Sequence, residues 1–342
     1  MLKFNKIGLS IGLACTLAFS LAGCGGNQTA GTGTKEKEAS AESGYSLGKN
    51  VEFVVPYSAG GGSDTNARTI AKIIKEEGLI KENILVVNKE GGSGAVGNTY
   101  THSKKGSPST ISTFVSGQIS SAVMSNAKIQ LEDLTPLGTL ALESFVLLVD
   151  GDSEYKTFED FVKAAKDNPG KISVGGTGLG GEDHMVYHLT NREASIETKF
   201  VTFQGGGETL SALMGGHIDA FFSNPSEVMA QIEAGELRAL ATASPDKLGE
   251  PLNEIPTFKE LGYDIEFQQF RGIAGPPDMP EEAVAYWENV FKGVSESEEW
   301  QNNYIEKFSL EPTYMNAEES KAFFEKSETL YKELLTELDL IK

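Results

Sequence analysis

The chain is poor in sulfur, in histidine and in positive charge. Its 342 residues hold two cysteines, Cys15 and Cys24, four histidines, and 29 Lys and Arg against 49 Asp and Glu, a formal net charge of −20. Excess acid argues against a nucleic-acid partner, whose phosphates such a surface repels. So few histidines and cysteines leave little for a metal centre. His184 and His188 are spaced as two ligands on one helix face are, but no H-E-x-x-H pattern accompanies them, and Glu182 and Asp183 read as the ordinary acids of a helix start. No nucleophile elbow is present either, since Gly91-Gly-Ser-Gly-Ala95 fails G-x-S-x-G at its last position. Neither catalysis nor a cofactor is expected. What the chain does have is glycine, 38 residues of it, together with 39% hydrophobic residues, which fits an α/β protein with many short turns.

The first residues read as an address. Lys3 and Lys6 precede an apolar run from Ile7 to Ala22, and Leu21-Ala-Gly-Cys24 follows. That pattern is a bacterial lipoprotein signal, residues 1–23, with lipid on Cys24. The run is too short for a convincing membrane span. Cys15 leaves with the signal, so no internal disulfide is expected in the exported chain. Residues 24–44, rich in Gly, Thr, Ser, Lys and Glu, read as a disordered tether. The expectation is a globular body held by a lipid anchor on the outer face of the cell membrane.

The body is organised around Phe53-Val-Val-Pro-Tyr-Ser-Ala-Gly-Gly-Gly-Ser-Asp64. Phe53 to Val55 predict a buried strand, Gly60 to Gly62 a tight turn, and Ser63 or Asp64 the N-cap of a helix with Ala67, Ile70, Ala71 and Ile74 on its inner face. A strand feeding a glycine turn and a helix N-terminus makes a seat for an anion. The device recurs after the strands at 171–175 and 198–203. Strand and helix alternate along the first half, so a mostly parallel sheet is expected. Phe145 to Val149 reads as its fourth strand, and the polar Asp150-Gly-Asp-Ser153 as a crossing near residue 150. Thr157-Phe-Glu-Asp160 predicts a capping box, and Leu210, Leu213 and Met214 a core-facing side of a later helix. An extended return at 266–273 leads to helices only. Two interrupted α/β lobes, 45–150 with 272–342 and 151–271, then form a hinged clam shell whose ligand sits in the crevice.

Several motifs in order resemble the solute receptors of the tripartite tricarboxylate transporters. They include Val55-Pro-Tyr-Ser-Ala-Gly-Gly-Gly-Ser-Asp64, Asn88-Lys-Glu-Gly-Gly-Ser-Gly-Ala-Val-Gly97, Gly176-Thr-Gly-Leu-Gly-Gly-Glu-Asp-His184, Gly205-Gly-Gly-Glu208 and Arg271-Gly272. The resemblance implies a two-lobed, periplasmic-binding-protein-like (type II) fold that closes on a small carboxylate, is monomeric, and delivers its solute to a two-subunit membrane permease. It also implies ligand contacts from Ser58, Ala59, Gly60, Gly61, Gly62, Ser63 and Asp64, from Ser116 and Gly117, from Thr177, Gly178, Leu179, Gly180 and Gly181, and from Gly205 and Gly206, with His184 and Asn224 added. Three departures bear on the ligand: Glu90 stands where Pro is frequent, Gly181 where Ser or Thr is, and Phe270 where Trp is, the last in what would be the cleft wall.

Two rival readings use the same residues. Gly92-Ser-Gly-Ala-Val-Gly97 and Gly176-Thr-Gly-Leu-Gly-Gly181 both match G-x-G-x-x-G, which suggests a dinucleotide-binding oxidoreductase. The first lacks an acidic partner between Glu90 and Glu132, and an exported lipoprotein has little access to a nicotinamide pool. A receptor of the ABC or sensory type, for a solute or a metal, is the other. One tension is electrostatic, because Glu182 and Asp183 lie beside a seat suited to an anion. Either they turn away as caps, which favours a di- or tricarboxylate, or one meets an ammonium group on an amino acid or other zwitterion.

Overall fold

Val51, Phe53, Val54 and Val55 are all but inaccessible in strand β1 (Val51–Val55), which has a parallel neighbour on each edge and packs Val51, Phe53 and Val55 into a core with Ile70, Ile74 and Trp287. A strand covered on both faces needs an unbroken apolar run rather than an alternating one. The computed structural model describes residues 45–342, apart from Asn126, Lys128 and Gln204. The signal sequence, Cys24 and the tether lie outside the described residues.

After β1 come α1 (Gly62–Glu76), β2 (Ile84–Asn88), α2 (Ala95–His102), β3 (Thr110–Val115), α3 (Ser116–Ser125), β4 (Thr135–Ser144) and β5 (Val146–Asp150). Then follow α4 (Phe158–Asp167), β6 (Ser173–Gly176), α5 (Glu182–Ala194), β7 (Lys199–Thr202), α6 (Gly206–Met214), β8 (Ala220–Ser223), α7 (Pro225–Glu233) and β9 (Leu237–Thr242). The chain ends with β10 (Gln268–Gly275), α8 (Glu281–Glu296), the short α9 (Glu298–Trp300), β11 (Glu311–Met315) and α10 (Ala317–Glu337). The capping box of α4 forms as its sequence predicts: Thr157 Oγ1 accepts from the Asp160 amide, and Asp160 accepts from the Thr157 amide. Phe158, Phe161, Val162 and Ala165 are buried beneath it. On α1 the inner face is Ala67, Ile70, Ile73 and Ile74, so Ile73 takes the place expected of Ala71.

Two sheets result. The first has the order β11-β4-β10-β3-β1-β2 and the second β7-β6-β8-β5-β9. Several expectations need correction. Val146–Asp150 is not a strand of the first sheet; it pairs antiparallel with β8 and β9 in the second. The chain therefore crosses between sheets at the single residue Phe145, and Asp150-Gly-Asp-Ser153 is a tight turn at the far end of β5, closed by bonds from the Asp152 and Ser153 amides back to Asp150. Gln268 to Arg271 pair with β4, so the return has reached the first sheet before residue 272. The C-terminal segment is not all helix either, because Glu311–Met315 adds an edge strand to β4. Met214 is 42% exposed, while Leu213 beside it is buried.

The two crossings are pinned together. Glu311 accepts from Ser144 Oγ at 2.5 Å, from Gln268 Nε2 at 2.6 Å and from Ser244 Oγ at 3.4 Å, and those donors stand at the end of β4, the start of β10 and just beyond β9. Phe270 lies in the core here, stacked on Phe324 with ring centroids 4.4 Å apart, so it does not form a cleft wall. Helix α10 reaches across to α5, where Glu333 and Glu337 meet Arg192 and Glu337 also meets His188.

Candidate functional site

Glycine turns form at the carboxyl ends of β1, β3 and β6, and several of their donors are already in use. At the first, Gly61 is the N-cap of α1, not Ser63 or Asp64. Gly60 has φ +84, a conformation that costs glycine nothing. Asp64 is buried inside the first turn. It accepts from the Gly60 amide at 2.8 Å, from Arg68 Nε at 2.9 Å and from Asn88 Nδ2 at 2.9 Å. The Arg68 hydrogen bond, with those of Gly60 and Asn88, holds its carboxyl at about 2. Asp64 and Arg68 thus form an i,i+4 ion pair whose acid is interior. Ser58 Oγ donates to Glu90 at 2.5 Å.

The second seat opens directly on Ser116, the first residue of α3, which is fully buried. Its hydroxyl donates to Glu182 Oε1 at 2.5 Å, and Glu182 is the first residue of α5. A Cβ added to Gly117 would lie 3.7 Å from both Glu182 oxygens and 3.9 Å from Tyr57 Oη. Glu182 therefore carries its carboxylate from the second sheet's side to a helix start on the first. Asp183 turns the other way and accepts from the Thr177 and His184 amides. Burial pushes both carboxyls above their usual range, and the neighbouring Asp183 adds to the effect at Glu182. The two acids thus turn different ways: Asp183 is a cap, and Glu182 reaches Ser116 at the start of α3. His184 accepts from the Gly180 amide at its Nδ1, 3.0 Å away, and its ring centroid lies 4.3 Å from that of Phe200. Burial drives the ring down to about 4, so it is neutral at pH 7 and free to accept. Leu179 is 58% exposed.

Gly205 is the N-cap of α6, and a Cβ on Gly206 would come within 2.7 Å of Glu227 Oε2. Asn224 is buried at the crossing, where it donates to the Ser144 carbonyl at 3.3 Å and accepts from Gln269.

A second cation stands among these turns; Arg271 belongs to a motif of the resemblance but was not among the expected ligand contacts. Arg271, on β10, donates from Nη2 to Glu143 Oε2 at 2.7 Å. Glu143, on β4, is 1% exposed and also accepts from Ser226 at the start of α7. Arg271 Nη1 lies 3.2 Å from where a Cβ on Gly62 would stand, and its buried Nε has no hydrogen-bond partner. The only local signal for it was a basic residue inside an apolar strand, Phe270-Arg-Gly-Ile-Ala274. Glu143 carries the same signal in Leu140-Ala-Leu-Glu-Ser144.

The glycine repeats of the rival reading have other uses. Gly97 sits where a Cβ would meet Pro56 at 2.6 Å, so that glycine lets α2 close on the end of β1. The two histidines are engaged separately, His184 by Gly180 and His188 by Glu337 at 2.8 Å. Among the described residues no group of three or more His, Cys, Asp or Glu is arranged to hold a metal ion.

Comparison with known proteins decides the family. The profile described as "Tripartite tricarboxylate transporter family receptor" matches residues 67–340. The chain belongs to this receptor family. Its members are substrate-binding receptors rather than enzymes. The receptor is 26% identical over 320 residues to a Cupriavidus necator protein named "UPF0065 protein in gbd 5'region", covering 92% of this chain and 95% of that one. A TctC solute-binding protein from Polaromonas, solved without ligand, superposes with a TM-score of 0.77 at 26% identity, over 85% of this chain and 99% of that one. MatC from Rhodopseudomonas palustris, solved with bound malate, has a TM-score of 0.65 at 20% identity, over 84% and 99%. The two-lobed periplasmic-binding-protein fold follows. No helix among the described residues is long and apolar enough to cross a membrane.

Proposed function

We propose that this receptor captures a small organic carboxylate in the crevice between its two sheets and delivers it to a two-subunit membrane permease. The observation that carries the reading is the position of Arg271. Its guanidinium turns Nη1 towards Gly62 of the first glycine turn while Nη2 holds Glu143, and its charge reaches Glu182 at the start of α5. A guanidinium whose Nη1 is not already bonded can donate to a carboxylate. The malate held by MatC supports the class of ligand. Sheet membership supports a first lobe of residues 45–144 with 268–342 and a second of 146–267, hinged at Phe145 and at the return strand. Ser116, Gly117, Gly62 and Gly206 are the expected contacts that face Arg271 or the acids around it. In this reading Ser58, Asp64, Thr177, His184 and Asn224 shape the turns, since their polar atoms are already bonded within the chain.

Closure on the ligand is the signal the permease reads, because a ligand that touches both lobes favours the closed form. The lipid on Cys24 keeps the receptor at the outer face of the membrane. A thermal-shift panel of organic acids on the full chain tests the capture step. A ligand at a thousand times its dissociation constant adds ~4 kcal/mol, and a rise in melting temperature with at least one carboxylate is expected. No rise with any acid, after the protein has been unfolded, dialysed and refolded to remove bound ligand, would refute the reading.

A further inference from the structure

We infer that the ligand is a zwitterion, with a carboxylate received by Arg271 and a cationic group received by Glu182 and Glu227. The inference rests on the crevice described above and adds the charge of what fills it.

The charges around Arg271 do not balance. Glu143 touches the guanidinium at 2.7 Å and neutralises it. Glu182 and Glu227 also feel that one positive charge, but among the described residues neither forms an ion pair. Their partners are neutral: Ser116 Oγ at 2.5 Å for Glu182 and Ser223 Oγ at 3.3 Å for Glu227. Asp64, buried at the first glycine turn, has its own cation in Arg68. Glu182, drawn out of water without one, is costly to keep charged, and a cation brought by the ligand removes that cost. A ligand carrying only negative charge would instead add to three glutamates.

The positive pole is independent of the acids. Arg271 keeps a buried Nε with no partner and turns Nη1 towards Gly62, away from the Nη2 contact with Glu143. The crevice thus offers the Nη1 donor on the side of the first turn and two carboxylates without an ion pair on the sides of α5 and α7. Glu227 is open to solvent there, and Gly206 lies against it without a side chain to cover it. An amino acid or a betaine of matching length presents the complementary pair.

Proton exchange distinguishes this ligand from a plain organic acid. The groups facing Glu182 are Ser116 on α3, Tyr57 after β1, Asp183 on its own helix, Tyr331 on α10 and Arg271 on β10. Those facing Glu227 are Glu143 on β4, Ser223 on β8, Asp183 on α5 and Arg271. Burial already favours the protonated form of Glu182. A cation displaces that proton, so binding releases protons and tightens as the pH rises above the ordinary carboxylate range. An anion has the opposite effect on both counts.

The test is calorimetric titration of the full chain with matched pairs: alanine and propionate, aspartate and succinate, glutamate and glutarate, 4-aminobutyrate and butyrate, glycine betaine and acetate. Buffers of different ionisation enthalpy report the proton count. At least one amino member is expected to bind tenfold or more tightly than its partner, with proton release. In Glu182→Gln and Glu227→Gln, each checked for a cooperative melt, that ratio should fall towards one. Tighter binding of the plain acids, with proton uptake, would overturn the zwitterion and leave the crevice standing. So would an amino preference that both variants retain. Binding of neither class, or binding that Arg271→Gln does not disturb, would overturn the crevice as well.

Discussion

Asp64 and Glu182 are the same device in two electrostatic states. Each puts a carboxylate at the start of a helix beside a glycine turn, where orphan amides and the helix dipole favour negative charge. Asp64 has Arg68 at 2.9 Å, and its carboxyl is held down to about 2. Glu182 has only a serine hydroxyl, and burial pushes its carboxyl up. The helix dipole alone therefore does not decide the state of a carboxylate at a helix start; the partner does. Asp64 is satisfied and structural. Glu182 is left with a demand that the chain itself does not meet.

The comparison breaks hardest at Arg271. Arg271→Gln leaves Glu143 buried without a cation, and losing one partner of a buried pair costs ~3–5 kcal/mol. Chemical denaturation should show a loss of that size, together with loss of ligand binding. Asp64→Asn should cost less, ~1–2 kcal/mol, because Arg68 is half exposed and water screens the pair. The sign with pH is fixed by the lowered carboxyl. Its contribution is complete above the unfolded value of about 4 and disappears as the pH falls through about 2. Melting curves of wild type and Asp64→Asn should therefore converge in that window. Glu182→Gln should behave in the opposite way. It removes an acid whose folded value is raised, so it should be neutral at low pH and stabilising as the pH climbs past the ordinary carboxylate range. Destabilisation by Glu182→Gln at neutral pH without ligand would show that the two carboxylates are alike after all.

Much of this was legible in sequence because local patterns carry it. The buried run Phe53–Val55, the glycine turn before α1 and the Thr157–Asp160 box are each set by neighbouring residues. The joint at Phe145 was not, because one residue between two apolar strands changes neither composition nor period. The edge strand Glu311–Met315 was missed because Glu-Pro-Thr-Tyr-Met has no alternation, and only pairing with β4 makes it a strand. The site divided in the same way. Its glycine turns are local and were found, whereas Arg271 and Glu143 come from strands 128 positions apart and meet only through the β10–β4 register. No spacing along the chain could show that the turns' donors are filled by Asp64, Glu182 and Asp183, since which way a carboxylate turns at a helix start is decided by what lies opposite.

The most direct measurement is calorimetric titration of the wild type and of Arg271→Gln, with circular dichroism confirming the fold of both, using the acid that raises the melting temperature most. The account predicts one saturable site in the wild type and a hundredfold or greater loss of affinity in the variant. Equal affinity in the two proteins would place the ligand away from Arg271 and contradict it.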